Sequence, residues 1–160
     1  MALYGDPDAL DRLAGRLRAR ATEIRQHADD HVRRGHAARW VSASARTYRD
    51  RVARDRTDAD RAAAELERAA ELLRAHAQEV RETLAMIARF EREATAWFER
   101  QARGLVDRVE DAVDAAGRTV RRLISDPPWS GWPIGPADLP APGDRKWLDV
   151  GRFMQDKGVL

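Results

Sequence analysis

From Leu10 onward the apolar residues return every three or four positions. Leu10, Leu13, Leu17 and Ile24, with Ala14, Ala21 and Ala28 between and beyond them, are separated by aspartate, glutamate and arginine. That spacing draws one apolar stripe along a helix and predicts packing against a second helix. Asp6 can cap it, Pro7 suits the first helical position, and Asp8 and Asp11 lie at the positive end of the helix dipole. Gly35, after Arg33 and Arg34, reads as the stop. The predicted helix has about 27 residues and spans roughly 40 Å.

A second pattern starts at Ser42 or Ser44, either of which can cap, and runs without glycine or proline to Gly104. Its apolar positions are Ala45, Tyr48, Val52, Ala59, Ala62, Leu66, Ala69, Leu73, Val80, Leu84, Ile87 and Phe90, at near-heptad spacing interrupted by Asp55 and His76. The pattern predicts one very long helix, or two nearly in line. It blurs around Ala94, Trp97, Phe98 and Leu105, then resumes as Val106, Val109, Val113, Val120, Leu123 and Ile124. A break is expected between Gln101 and Gly104. Residues 101–125 are then a third helix or a continuation of the second.

Residues 126–160 form a Pro/Gly/Trp-rich tail. Its first part, DPPWSGWPIGPADLPAPG, is too rich in proline and glycine for regular structure, and extended chain is expected. Its last part carries Trp147, Leu148, Val150, Phe153 and Met154, enough for a short amphipathic turn that needs a surface to pack on. The expected fold is all-α: an antiparallel helical hairpin over residues 1–100 with a long second helix, a third helix and the tail.

Helix lengths add a constraint. If the first helix folds back, it covers only about the first 27 residues of the second, leaving Leu73 to Phe98 without a local cover. Either the third helix returns to cover that stripe or another chain does. Leu66, Leu73, Val80, Leu84, Ile87 and Phe90 are therefore the predicted partner interface.

Composition narrows the chemistry. Charged residues make up 35% of the 160, and much of the apolar fraction is alanine, so the core is thin. Net charge is only +2. The run Arg39, Arg46, Arg49, Arg51, Arg54 and Arg56 is interleaved with Asp50 and Asp55 and surrounds the helix rather than lining one side, which argues against nucleic acid. There is no cysteine, hence no disulfide, thiolate metal site or cysteine nucleophile. No phosphate-binding glycine loop or nucleophile elbow is present, so no cofactor, small-molecule substrate or enzymatic activity is expected.

Three polar positions near the stripe invite a chemical reading. His27 and His31 stand one helical turn apart, the only metal-like spacing, and also lie where they can face Tyr48 or Trp40 across the hairpin. His76 reads as a buried or interfacial histidine, and Asp55 as a partner for Arg18 or Arg20. The N-terminus lacks the apolar run of a cleavable signal peptide and no segment reads as a membrane span, so synthesis and folding in the cytoplasm are expected.

One large indole, Trp40, sits at the bend in HAARWVSASARTYRD. It reads as a wedge filling the end of a helical hairpin. Over about residues 3 to 90 the chain resembles the Trp-X-Gly (WXG) superfamily of helical-hairpin proteins exported by type VII (ESX-type) secretion systems. The resemblance rests on Trp40-Val41-Ser42, with Ser42 at the motif glycine, and on Ala45 and Tyr48 at helical spacing beyond it. The family's Tyr-X-X-X-Asp/Glu export signal past the second helix is not found: Tyr48 is followed by Val52, and Tyr4 by Asp8 in the wrong place.

The resemblance implies a secreted substrate, or the targeting or chaperone partner of one, bound to a WXG-like or toxin helical protein. A self-associating coiled-coil scaffold, a homodimer, is the alternative reading. Trp129, Trp132 and Trp147 in the tail either dock in a partner's groove, as in delivery of a toxin, or fold back on the second helix.

Overall fold

A computed structural model describes residues 5–37, 39, 41–112 and 127–160, with side chains in the long helix described to residue 106. Helix α1 spans Pro7–Ala37, helix α2 spans Ala43–Ala112, and helix α3 spans Trp147–Asp156. A single 3-10 turn, Pro136–Asp138, interrupts the tail. The fold is all-α with a long second helix, and the described residues contain no strand. Two compact units divide the chain, Met1–Arg81 and Glu82–Leu160, with α2 contributing to both.

The ends of the helices are set by the residues the pattern singled out. Asp6 precedes α1 and accepts a hydrogen bond from the Asp8 amide at 2.9 Å, with Pro7 at the first helical position where no amide is missed. Ser42 rather than Ser44 caps α2, its hydroxyl accepting from the Ala45 amide at 3.1 Å.

Both predicted glycine breaks fail. Helix α1 runs through Gly35 for 31 residues. Gly35 is buried, and a Cβ there would lie 3.4 Å from the Tyr48 ring and 3.7 Å from Val52. It is a seam position, small because another helix is near. Helix α2 runs through Gly104 without a break, 70 residues in all, so residues 101–112 continue the second helix. One glycine costs a helix only about 1 kcal/mol, which flanking turns absorb. The remainder of the expected third helix, with Val113, Val120, Leu123 and Ile124, lies outside the described residues, as does Trp40.

In the first unit α1 lies antiparallel on α2. Arg81 donates to Asp8 at 2.7 Å and Asp11 at 2.6 Å, and Arg25 donates to Glu67, one of its two bonds at 2.8 Å. These pairs fix the register, which brings Ala14 level with Ala77, Ala21 with Ala70 and Ala28 with Ala63. All but the half-buried Ala28 are fully buried, and Ala45, Val52 and Gly35 continue the seam towards the bend. Small side chains let the helix axes approach closely. Each seam alanine buries little, roughly 0.8 kcal/mol per carbon against about 1.5–3 for a leucine.

The second unit is built on aromatics. Ile87, Phe90, Ala94, Trp97 and Phe98 of α2 are buried together with Trp147, Val150, Gly151 and Met154 of α3. Trp132 stacks on Trp97 at 5.1 Å and 11°, while Trp129 meets the edges of both Trp97 and Phe98. Phe153 closes on Trp132 edge to face at 5.3 Å. The Trp147 indole N–H donates to the Ala141 carbonyl at 2.9 Å, satisfying its one polar atom.

Glycine keys this packing. A Cβ on Gly151 would stand 2.1 Å from Phe90 Cγ, so only a hydrogen fits where α3 crosses that ring. The C-terminus of α3 is closed by Gly158 at φ +68°, with the Val159 amide bonded to the Met154 carbonyl at 3.1 Å and the Gly158 amide to Gln155 at 2.8 Å. That pairing is the Schellman arrangement, which left-handed glycine permits.

Candidate association face

Stepping about 100° per residue along two antiparallel helices separates the hairpin into two sides of the alanine seam. On one side fall the interhelix ion pairs: Arg25 with Glu67 and Asp60, Arg56 with Asp29, and Arg81 with Asp8 and Asp11. On the other fall the larger apolar residues, Leu10, Leu13, Leu17 and Ile24 from α1 and Tyr48, Leu66 and Leu73 from α2. A one-layer hairpin cannot bury both sides. Leu13 keeps 36% and Tyr48 37% of its surface, and the others are half-buried.

The polar side acts as a strap. The Arg25 guanidinium, hydrogen-bonded to Glu67, holds that carboxyl below its ordinary value, against the smaller opposing effect of desolvation. The same bond raises the Arg25 pKa, and the bonds to Asp11 and then Asp8 raise that of Arg81. These groups are part-exposed, so the straps set register more than they add stability. Heptad spacing gave no hint of them, because they sit beside the seam.

The apolar side carries a depression, a cavity of about 360 Å³ lined by Arg20, Ile24, His27, Ala28, His31, Asp55, Arg56 and Ala59. His31 meets the Tyr48 ring at 6.4 Å, edge to face, as expected of a histidine turned across the hairpin. His27 lines the same depression. No group of three metal-binding side chains occurs among the described residues. Asp55 does not take Arg20, whose guanidinium pairs with Glu23 at 3.0 Å on its own helix. His76 is not buried: it is exposed, 3.5 Å from Glu79. Both polar interruptions of the stripe are thus tolerated at solvent-facing sites.

The predicted interface residues divide between the two units. Leu66 and Leu73 stand half-buried on the open side of the hairpin. Val80 is buried, and in the second unit Ile87 and Phe90 are buried with Leu84 half-buried. Phe90 is therefore not free for another chain, because Gly151 of the tail packs against its ring where a partner was expected, and Ile87 is buried as well. Trp147 is 2% exposed, and Trp129 and Trp132 are half-buried against Trp97. Of the two readings of the tail, folding back on the second helix is the one observed. Heptad spacing marks a stripe that must be covered; it carries no information on whether the same chain supplies the cover.

Around the bend, Ser42 caps α2, Ala45 is buried and Tyr48 faces His31. No helix among the described residues is long and apolar enough to cross a membrane. No family model, curated protein or solved structure matches this chain.

Proposed function

We propose that this chain is a non-enzymatic WXG-like protein of a type VII secretion system, a substrate or the targeting partner of one, acting through helix–helix association. The observation that carries the association is the asymmetry of the hairpin. One side is strapped by ion pairs, and the other leaves Leu13, Leu17, Ile24, Leu66 and Leu73 short of burial. A contiguous apolar strip of that kind, bounded by charged residues, marks a protein-binding surface. The placement of Ser42, Ala45 and Tyr48 around the bend supports the WXG-like reading.

Co-expression with the product of the adjacent gene tests it. A stable 1:1 complex that Leu73→Asp abolishes is the expected result; a monomer indifferent to both the neighbour and the substitution contradicts it. Delivery of a toxin through the tail is less well supported, since Trp129, Trp132 and Trp147 are engaged within the chain's own second unit.

A further inference from the structure

The closed end of the hairpin is strongly basic. Residues 33–54 hold seven arginines against the single acid Asp50, whereas the rest of the first unit, residues 1–32 and 55–81, has ten arginines and thirteen acids. The basic end draws on both helices and the link between them. Arg33 and Arg34 stand near the end of α1, Arg39 lies in the link, and Arg46, Arg51 and Arg54 follow the start of α2. Arg34, Arg39, Arg46, Arg51 and Arg54 are exposed and take no ion pair among the described residues.

Local stability does not account for these cations. Arginine suits the C-terminus of α1, but α2 has no acid in its first turn and sets Arg46 near its positive end, where the helix dipole disfavours a cation. Nor do they form a line. Stepping about 100° per residue from the buried Val52, Arg46 falls on the strapped side of α2, Arg51 on the open side and Arg54 on the outer face. With Arg34 and Arg39 they ring the end of a two-helix rod. A nucleic-acid strand is met by cations along one face; a ring at one end fits an anionic plane met end-on. In the link, Val41 is 100% exposed and presents an apolar side chain among these charges.

We propose that this end docks on an anionic lipid bilayer, with guanidinium groups on the lipid phosphates and Val41 at the headgroup boundary. Arginine takes phosphate oxygens in pairs, and each basic residue held near such a surface adds to binding. The contact is peripheral and needs no spanning helix. It uses the bend and not the open side, so it is independent of whether that side takes a protein partner.

The test is sedimentation of the full chain with vesicles of phosphatidylcholine and phosphatidylglycerol in equal amounts, against phosphatidylcholine alone. The unaltered chain should pellet with the anionic vesicles only, and less of it as salt is raised. Arg39→Gln combined with Arg46→Gln should weaken that binding by about tenfold or more. Arg16→Gln combined with Arg68→Gln removes the same charge at exposed sites roughly 30 Å or more along the helices from the bend, and should change it by less than about threefold. All four positions are exposed, and circular dichroism should show unaltered helicity in both double variants. A chain that ignores anionic vesicles overturns the proposal, as does an equal loss from the two double variants. Binding to a short DNA duplex as tight as that to the vesicles at the same salt also overturns it, because the ring then takes phosphate in any setting.

Discussion

The two units of this chain solve the same problem with opposite materials. Residues 82–160 bury large side chains, Phe90, Trp97, Phe98, Trp147 and Met154, around a glycine that admits no Cβ. Residues 1–81 bury mainly alanines and keep their leucines half in water. An aromatic core draws on several kcal/mol per side chain and closes on itself. An alanine seam draws on close approach and register, and leaves the larger apolar groups beside it with unspent area. The difference is one of cover: among the described residues the second unit covers its aromatic stripe with its own tail, and the first leaves an apolar side part-exposed.

Truncating the aromatic core should have the largest effect. Trp97→Ala removes the ring on which both Trp129 and Trp132 rest and should cost about 3–5 kcal/mol in the second unit, read by denaturant titration followed by tryptophan fluorescence. Gly151→Val comes next. The new methyls must displace the Phe90 ring, and a loss of about 3 kcal/mol with release of α3 is expected, seen as collapse of the near-ultraviolet dichroism.

Enlarging a seam residue of the first unit provides the contrast. Ala21→Leu should cost about 2 kcal/mol and lower far-ultraviolet helicity on mild heating, while leaving tryptophan fluorescence nearly unchanged, because the hairpin can splay where α3 cannot. Equal losses from Gly151→Val and Ala21→Leu, spread over both probes, would dissolve the distinction between the units.

The smallest effect is that of acid on the strap. The folded Glu67 carboxyl titrates below its ordinary value of 4.5 because Arg25 donates to it. Its contribution is therefore fully present above 4.5 and is lost as pH falls through the lowered folded value. Thermal melts of the unaltered chain should lose a small increment over that window that Glu67→Gln lacks throughout. The increment should shrink in high salt.

The helices were legible in the sequence where local chemistry decides them: Asp6 and Pro7 at the start of α1, Ser42 at the start of α2, and Val150, Phe153 and Met154 as one face of the terminal turn. Gly35 and Gly104 were misread because a glycine that ends a helix and one that lets another helix approach, or is simply carried by a long helix, look alike along the chain. Ile87 and Phe90 were assigned to a partner for a related reason. At Phe90 the cover came from α3 at Gly151, some sixty residues downstream across a proline-rich stretch, and periodicity does not count distance. The open side of the hairpin was half visible. Leu66 and Leu73 were named, but Leu13, Leu17 and Ile24 read only as intrachain packing, since the alanines that take the seam from them carry so weak a hydrophobic signal.

The most direct test of the contrast is melting with and without the neighbour-encoded partner, read by two probes. Four of the five tryptophans, Trp97, Trp129, Trp132 and Trp147, belong to the second unit, so with Trp40 replaced by Phe the fluorescence reports on it, whereas far-ultraviolet dichroism is dominated by the long helices. With the partner in excess, the dichroism transition should move to higher temperature as the open side is covered, and the fluorescence transition should stay in place. Two transitions that both ignore the partner would contradict the account.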